Sequence, residues 1–388
     1  MNELHSILDA WQSLDDSNRN AVLATVVHVK GSAYRRPGAR MLILPDGRRI
    51  GSISGGCLEG DVSKKAWWFT EGGHPSVRVY DTSSDEDAVW EFGLGCNGVI
   101  QVMLERVESP CARQALGFLN SCRTSHRPGV MATVIRTSES SRYQLGNRLI
   151  VDHAEVSRGE LQGSPLESGL QPYIEQTVRA RKSHLVRMPD CEIFVEWIGP
   201  PVPLVVFGAG HDAIPVVKIS KQLGWNVTVA DGRPSYAVTE RFPDADRVVV
   251  MKAPDFLAGI EITPESIVVV MTHNFPQDAK LLRQILRGRP RYLGLLGPKK
   301  RTDSLFAELG LRPETVNVHA PVGLDIGADT PEGIALSIVA EIQAELAGRP
   351  GMKLRHRRDA IHAPVEELGV ETTLALPEPD LASCELAK

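Results

Sequence analysis

The chain has 388 residues, a hydrophobic content of 42% and a formal net charge of −5. This length is sufficient for two domains with separate hydrophobic cores. The negative charge and the lack of a long basic stretch argue against nucleic-acid binding, and no apolar run reaches the ~20 residues of a membrane helix. The N-terminal residues lack the pattern of a secretory signal, and the six scattered cysteines form no CxxC pair. We therefore expect a cytoplasmic protein with free thiols.

The first half of the chain is predicted to be a mixed α+β domain over residues 1–199, with an irregular β-rich part from about residue 107. Hydrophobic spacing indicates its helices, and valine-rich runs indicate its strands. A Pro-Asp-Gly turn at 45–47 predicts a hairpin, and the prolines at 200 and 201 mark the predicted domain boundary. The predicted helices are 3–20, 58–70 and 111–122, and the predicted strands are 21–29, 40–44, 48–53, 77–80, 99–104, 130–136 and 193–197.

The second half alternates short apolar runs with helical segments, which is typical of a parallel sheet covered by helices. We predict an α/β protein with a C-terminal Rossmann-like parallel sheet domain over 200–348, preceded by the mixed α+β domain. A polar tail over 349–388 is expected to be disordered in its last ~20 residues. The predicted strands are 204–207, 227–230, 248–251, 267–271 and 292–295, and the predicted helices lie near 211–223, 276–287, 299–309 and 331–346.

A dinucleotide-type signature, Phe-Gly-Ala-Gly-His-Asp-Ala, directly follows the first of these strands. Gly208 permits the tight turn and Gly210 lets the backbone approach a pyrophosphate. The following helix N-terminus, next to His211, points free N–H groups at an anion. Asp231 ends the second strand at the distance expected for an acid that binds a ribose diol. These residues predict nucleotide binding; the alternative is a Rossmann fold that binds one phosphate or no ligand.

A second group of candidates follows the strand predicted at 267–271. Ligands of open α/β sheets bind at the carboxyl ends of the strands, and His273 is placed there. We expect His273 to line the same cleft. Asp278 either faces this cleft or places its charge in the first turn of a helix.

Two cysteines lie in glycine-rich turns of the first half. Cys57 follows Gly55 and Gly56 just before a predicted helix, and Cys96 is surrounded by three glycines. A helix N-terminus lowers the pKa of a thiol, and thiolate is a ligand for soft metals. Glu59 would oppose this effect or act as a proton acceptor. We predict that both cysteines bind a metal; the alternative is that they are small buried residues.

Three arginines precede the first predicted hairpin. Arg35, Arg36 and Arg40 could bind phosphate or carboxylate through bidentate contacts. Arg40 is the preferred candidate because it lies inside an apolar strand. The alternatives are solvated surface charges or an ion pair with Glu59.

Several further motifs are distributed along the chain. They lie at 31–41 (GSAYRRPGARM), 51–59 (GSISGGCLE), 93–98 (GLGCNG), 207–211 (FGAGH), 231–234 (DGRP), 240–243 (ERFP), 272–273 (TH), 323–327 (GLDIG) and 330–332 (TPE). Together they resemble the motifs of the XdhC/CoxI family of xanthine dehydrogenase accessory factors, and the resemblance covers about residues 1–347.

The resemblance implies a chaperone that binds the molybdenum cofactor (molybdopterin), supports its sulfuration and delivers it to a molybdenum hydroxylase such as xanthine dehydrogenase. It also implies a cofactor-sulfurating enzyme as a partner and a homodimer. The Rossmann-like cleft would hold the pterin or a separate nucleotide or dinucleotide. The chain is thus expected to bind a cofactor rather than to catalyse a reaction, and no residue is assigned as catalytic. The alternatives are an NAD(P)-dependent oxidoreductase and a purely structural partner of the hydroxylase.

Overall fold

The computed structural model describes residues 2–14, 20–56, 58–81, 98–312, 317–358, 360–362 and 366–369. The chain divides into two compact units. One contains residues 3–200 and the chain after residue 358, and the other contains residues 201–358. No helix in the described ranges has both the length and the apolar character needed to cross a membrane.

In its described residues, the N-terminal unit contains two sheets and four helices. The first sheet has the order β3-β2-β1-β5-β4 and is antiparallel. The second sheet contains β6 to β10, also antiparallel to their neighbours. The elements are α1 (Asn2–Gln12), β1 (Val22–Gly31), β2 (Arg40–Ile43), β3 (Arg49–Gly51), α2 (Glu59–Phe69), β4 (Ser76–Asp81), β5 (Gly98–Arg106), α3 (Pro110–Ser125), β6 (Gly129–Thr137), β7 (Arg148–Val151), β8 (Ser157–Arg158), α4 (Pro165–Ala180), β9 (His184–Arg187) and β10 (Cys191–Ile198).

The two sheets pack face to face, and a helix covers the outer face of each. Val27 and Met103 of the first sheet meet Phe194 of the second. Helix α2 packs on the other face of the first sheet, and α4 packs on the other face of the second. Because both faces of β1 are covered, all residues from 22 to 29 are buried, including the polar Thr25 and His28.

Two buried arginine–glutamate pairs join the first sheet to the second. Arg40 of β2 donates to both oxygens of Glu196 in β10, at 2.8 and 2.5 Å, and also to the carbonyl of Gly38. Arg148 of β7 donates to both oxygens of Glu105 in β5, at 2.9 and 2.6 Å. The hydrogen bonds of Arg40 therefore go to Glu196 rather than to Glu59, and its role in cofactor binding stays a prediction.

The C-terminal unit is a five-stranded parallel sheet of order β13-β12-β11-β14-β15. One face packs on α5 and α8, and the other packs on α6 and α7. This arrangement confirms the predicted Rossmann-like domain. Its elements are β11 (Pro203–Phe207), α5 (Ala213–Gln222), β12 (Asn226–Asp231), β13 (Arg247–Val250), β14 (Ile267–Val270), α6 (Phe275–Ile285), β15 (Tyr292–Leu295), α7 (Lys299–Leu309) and α8 (Pro331–Leu346), with single 3₁₀ turns at Thr239–Arg241, Leu286–Gly288 and Leu354–His356.

A strand late in the chain, residues 366–369, belongs to the N-terminal unit. Strand β16 (Glu366–Gly369) pairs in parallel with β9 at the edge of the second sheet. Glu367 forms an ion pair with Arg187 at 2.8 Å and contacts His28 at 3.3 Å. The predicted disorder of the last residues concerns a segment outside the described ranges.

Every helix and strand predicted for the described residues is present, with bounds shifted by a few residues. The first helix is shorter than predicted because it ends at Gln12, and residues 15–19 lie outside the described ranges. Helix α4 and the strands β7, β8, β9 and β16 were not predicted.

Candidate functional site

The carboxylate of Glu59 holds the turn that precedes α2, which we call the Glu59 turn (residues 52–56). Glu59 is buried, with 6% of its surface exposed. One oxygen accepts from the backbone N–H of Ile53 and Ser54 and from the Ser52 hydroxyl, and the other accepts from the Ser54 hydroxyl and the Gly56 N–H. Burial alone would raise the pKa of Glu59, but these hydrogen bonds lower it to about 2. A carboxylate this acidic, with its oxygens in use, is a poor proton acceptor.

The surface of the Glu59 turn is open to solvent. Gly55 and Gly56 are both exposed, and Gly56 has a φ of +114°, which favours glycine. The ring of Tyr34, 68% exposed, lies beside Gly55. Cys57 follows Gly56 in the sequence, but both Cys57 and Cys96 lie outside the described residues. Their predicted metal binding is thus a matter for experiment.

The described thiols have no feature of a metal site. Cys111, Cys122 and Cys191 are free, and burial raises their pKa values to about 11, 12 and 12. Over the described ranges, no group of three or more metal-ligating side chains comes together.

The predicted phosphate loop of the C-terminal unit forms a tight turn over residues 208–212, the Gly208 turn. Gly208 has a φ of +115°, and an added Cβ would lie 2.4 Å from the carbonyl oxygen of Met271. Only glycine fits there. At Gly210, an added Cβ would lie 2.3 Å from Oδ1 of Asp212. Oδ1 of Asp212 therefore lies against Gly210, on the side where a side chain would project.

A histidine from the neighbouring strand end holds this carboxylate. Nε2 of His273 lies 2.7 Å from Oδ2 of Asp212. The backbone of His273 is left-handed, with a φ of 56°, a conformation that is uncommon for residues with a side chain. Asp212 was not predicted as a site residue, although it lies inside the signature, next to the exposed His211.

Asp231 lies beside the same turn and is fully engaged in hydrogen bonds. It accepts from the N–H of Ala209 at 2.7 Å and from the backbone and guanidinium of Arg233 at 2.7 to 3.0 Å. Burial would raise the pKa of Asp231, but these bonds lower it below its usual value. Each oxygen already accepts two hydrogen bonds, so ribose binding by Asp231 would require a change of partners. That role stays a prediction.

A cleft of about 580 Å³ opens where β12, β13 and β14 end and α6 begins; we call it the C-terminal cleft. His273 lines this cleft as predicted from its place after β14. Asp278 does not offer a free carboxylate to the cleft, because it is buried and accepts hydrogen bonds from Thr272 and Arg301. The cleft also contains the cations Arg233 and Lys280, the amides Asn274 and Gln277, and the apolar side chains Met251, Ala253, Phe256 and Pro276.

The structure thus brings Gly208, Gly210 and His273 together, with Asp231 adjacent. Two family signatures match the chain: one described as the XdhC Rossmann domain over residues 204–342, and one described as the XdhC and CoxI family over residues 14–81. A relative from Bacillus subtilis (strain 168), named as a probable xanthine dehydrogenase subunit, is 34% identical over 343 residues, which are 88% of this chain and 97% of the relative. The chain belongs to the XdhC and CoxI family.

Two further similarities cover most of this XdhC-family chain. The molybdenum cofactor insertion chaperone PaoD of Escherichia coli (strain K12) is 24% identical over 332 residues, 84% of this chain and 83% of the relative. A crystal structure described as a xanthine dehydrogenase from Bacillus halodurans is 33% identical, with a TM-score of 0.75 over 90% of this chain and 97% of the other.

Proposed function

We propose that this chain binds the molybdenum cofactor as cargo, supports its sulfuration and delivers it to a xanthine dehydrogenase-type molybdenum hydroxylase in the cytoplasm. In this proposal it acts as a homodimer and also meets a cofactor-sulfurating enzyme. The XdhC-family membership and the similarity to an insertion chaperone support this assignment.

The observation that carries the proposal is the Glu59 turn. Its two glycines are exposed, and its conformation is fixed by a buried carboxylate. It leads directly into the N-terminus of α2, where a thiolate at Cys57 would be stabilised. Thiolate suits a soft metal centre. Cys57 and Cys96 would hold the metal, Gly55 and Gly56 would let a bulky cargo approach, and Glu59 would position the turn.

The alternative of an NAD(P)-dependent oxidoreductase is supported by the Rossmann-like domain and the Gly208 turn. Two carboxylates weaken it. Asp231 is engaged by Arg233 and Ala209, so it does not offer a free acid to a ribose. Asp212 lies where a pyrophosphate would approach Gly210. We therefore place the cargo-binding function first.

The test is the molybdenum content of thiol variants. Protein purified from a host that makes the cofactor is assayed for molybdenum by mass spectrometry and for pterin by fluorescence after oxidation. We expect Cys57→Ala to lose most of both, because the turn keeps its hydrogen bonds while the soft ligand is removed. Cys96→Ala tests the second predicted ligand in the same way.

Cys111→Ala is the matched control. Cys111 is a partly exposed free thiol whose pKa of about 11 makes it a poor metal ligand, so its loss should leave the molybdenum content unchanged. Wild-type molybdenum content in Cys57→Ala would remove the thiol-ligand proposal. Turnover with NAD(H) and no bound pterin would favour the oxidoreductase instead.

A further inference from the structure

The charged side chains that line the C-terminal cleft are basic. None of its described lining residues is acidic, whereas Arg233 and Lys280 are cations. The contact with Asp231 fixes the Arg233 guanidinium, yet 48% of the side chain remains exposed. Lys280 is exposed on α6 and lines the cleft. This lining therefore favours an anionic ligand.

The rest of the lining combines apolar side chains with hydrogen-bonding amides, the kinds of contact that a heterocyclic ring makes. Met251 and Phe256 provide apolar walls, and the amides of Asn274 and Gln277 provide hydrogen-bonding groups. Pockets that bind small molecules are typically ~300–1,000 Å³ and combine apolar walls with a few placed polar groups. The cleft, at about 580 Å³, lies within this range.

The adjoining Gly208 turn carries a negative charge of its own. Oδ1 of Asp212 lies against Gly210, and Oδ2 is held by His273, which also lines the cleft. A pyrophosphate at this turn would have to displace the carboxylate or lie next to it. Because like charges at this range repel each other, the turn disfavours the anion that its sequence motif is typical of.

We propose that the C-terminal cleft binds a planar heterocycle with a single phosphate monoester, and that Asp212, held by His273, excludes the pyrophosphate of a dinucleotide from the Gly208 turn. Phosphorylated pterins and nucleoside monophosphates share this chemistry. The assignment of the pterin of the cargo as natural ligand rests on the proposed function, whereas the ligand class rests on the cleft alone.

Calorimetric titration of the full-length protein tests the ligand class, with neopterin monophosphate, 5′-GMP and NAD⁺ as probes. We expect at least one monophosphate to bind ~10-fold or more tightly than NAD⁺. If neopterin monophosphate binds more tightly than 5′-GMP, the ligand of the cleft is a phosphorylated pterin. If 5′-GMP binds more tightly, the ligand is a nucleoside monophosphate. The proposal is overturned if neither monophosphate binds, or if NAD⁺ binds as tightly as they do.

Three variants test the assigned residues. Lys280→Glu should weaken monophosphate binding ~10-fold, whereas Lys218→Glu should have no effect because Lys218 is exposed on α5 outside the cleft lining. Asp212→Ser should tighten NAD⁺ binding ~10-fold relative to monophosphate binding. Equal effects of the two lysine variants, or unchanged NAD⁺ affinity in Asp212→Ser, would contradict the proposal.

The calorimetric test of the cleft and the molybdenum assay of the proposed function can fail separately. Tight NAD⁺ binding combined with molybdenum retention that depends on Cys57 would overturn the cleft proposal and leave the proposed function in place. Monophosphate binding without any molybdenum retention would do the opposite.

Discussion

At the scale of single residues, two carboxylates decide how the glycine turns of this XdhC-family chain behave. Glu59 accepts hydrogen bonds from the turn before α2 and fixes its shape. Asp212 instead places its Oδ1 against Gly210 in the Gly208 turn. In our proposals, Glu59 prepares a surface for a ligand, whereas Asp212 restricts which ligand can enter.

We expect Glu59→Gln to lower the free energy of unfolding at pH 7 by roughly 2–3 kcal/mol, because the native pKa of Glu59 is about 2 against an ordinary value of 4.5. A lowered carboxyl pKa stabilises the fold above the ordinary value, and this contribution is lost as the pH falls toward 2. Urea unfolding at pH 7, 4 and 3 should therefore show the difference between wild type and variant shrinking with acidity.

Glu71→Gln is the control for this comparison, because Glu71 is exposed beyond the end of α2. It should change stability little at any of these pH values. A difference between wild type and Glu59→Gln that is constant across the pH range would contradict the assigned role. Lower molybdenum retention in Glu59→Gln would link the turn geometry to cargo binding.

At the scale of elements, the two sheets of the N-terminal unit are joined by charges as well as by apolar contacts. Glu105 and Arg148 have side chains that are 1% and 4% exposed. Removing one partner of such a pair leaves an uncompensated buried charge, whereas replacing both with apolar residues is often neutral. We therefore expect the pair to help specify how the two sheets register against each other, more than to add net stability.

Arg148→Met should destabilise the N-terminal unit by about 3–5 kcal/mol, because it leaves the buried Glu105 carboxylate without its charge partner. The double variant Arg148→Met with Glu105→Leu should recover most of this loss. Urea denaturation followed by tryptophan fluorescence measures both. A double variant no more stable than the single one would show that the arginine acts through packing rather than through its charge.

The sequence predicts the parallel sheet well and parts of the second sheet poorly. Uninterrupted β-branched runs such as Ile267–Val270 are buried on both faces, and their pattern has few other interpretations. Helix α4 escaped prediction because Pro172 lies inside it, where proline normally ends a helix. Strand β7 has four residues, of which only the last three are apolar, and so short an apolar run does not indicate a strand.

The candidate site is predictable only in part for a related reason. The glycines at 208 and 210 and the histidine at 273 follow from motif and topology. The hydrogen bonds of Glu59 and the position of the Asp212 carboxylate depend on how side chains fill a turn. No spacing rule contains that information, and the signature itself suggests that the space at Gly210 is free.

At the scale of the whole molecule, the two units carry different parts of the proposed chemistry. The Glu59 turn belongs to the N-terminal unit, and the C-terminal cleft belongs to the C-terminal unit. The N-terminal unit nevertheless includes β16, which comes after the entire C-terminal unit in the chain. Glu367 of β16 binds Arg187 and contacts His28 in that unit.

Removal of residues 359–388 should loosen β9 while leaving the parallel sheet unchanged. Loss of β16 exposes the edge of the second sheet, and exposed edges exchange amide hydrogens faster. Hydrogen exchange read by mass spectrometry should show faster exchange at 184–187 and not at 204–207. A shorter deletion of 371–388 retains β16 and is the control; equal exchange in the two truncated proteins would contradict a stabilising role for β16.

The late position of β16 also bears on synthesis at the ribosome. Residues 184–187 emerge long before their partner at 366–369. The second sheet of the nascent polypeptide must therefore wait, with an open edge, until the intervening unit has been translated. Assembly of the thiol-bearing half is completed only after that unit has left the ribosome, so termination of translation before residue 366 would release a protein that lacks its closing strand.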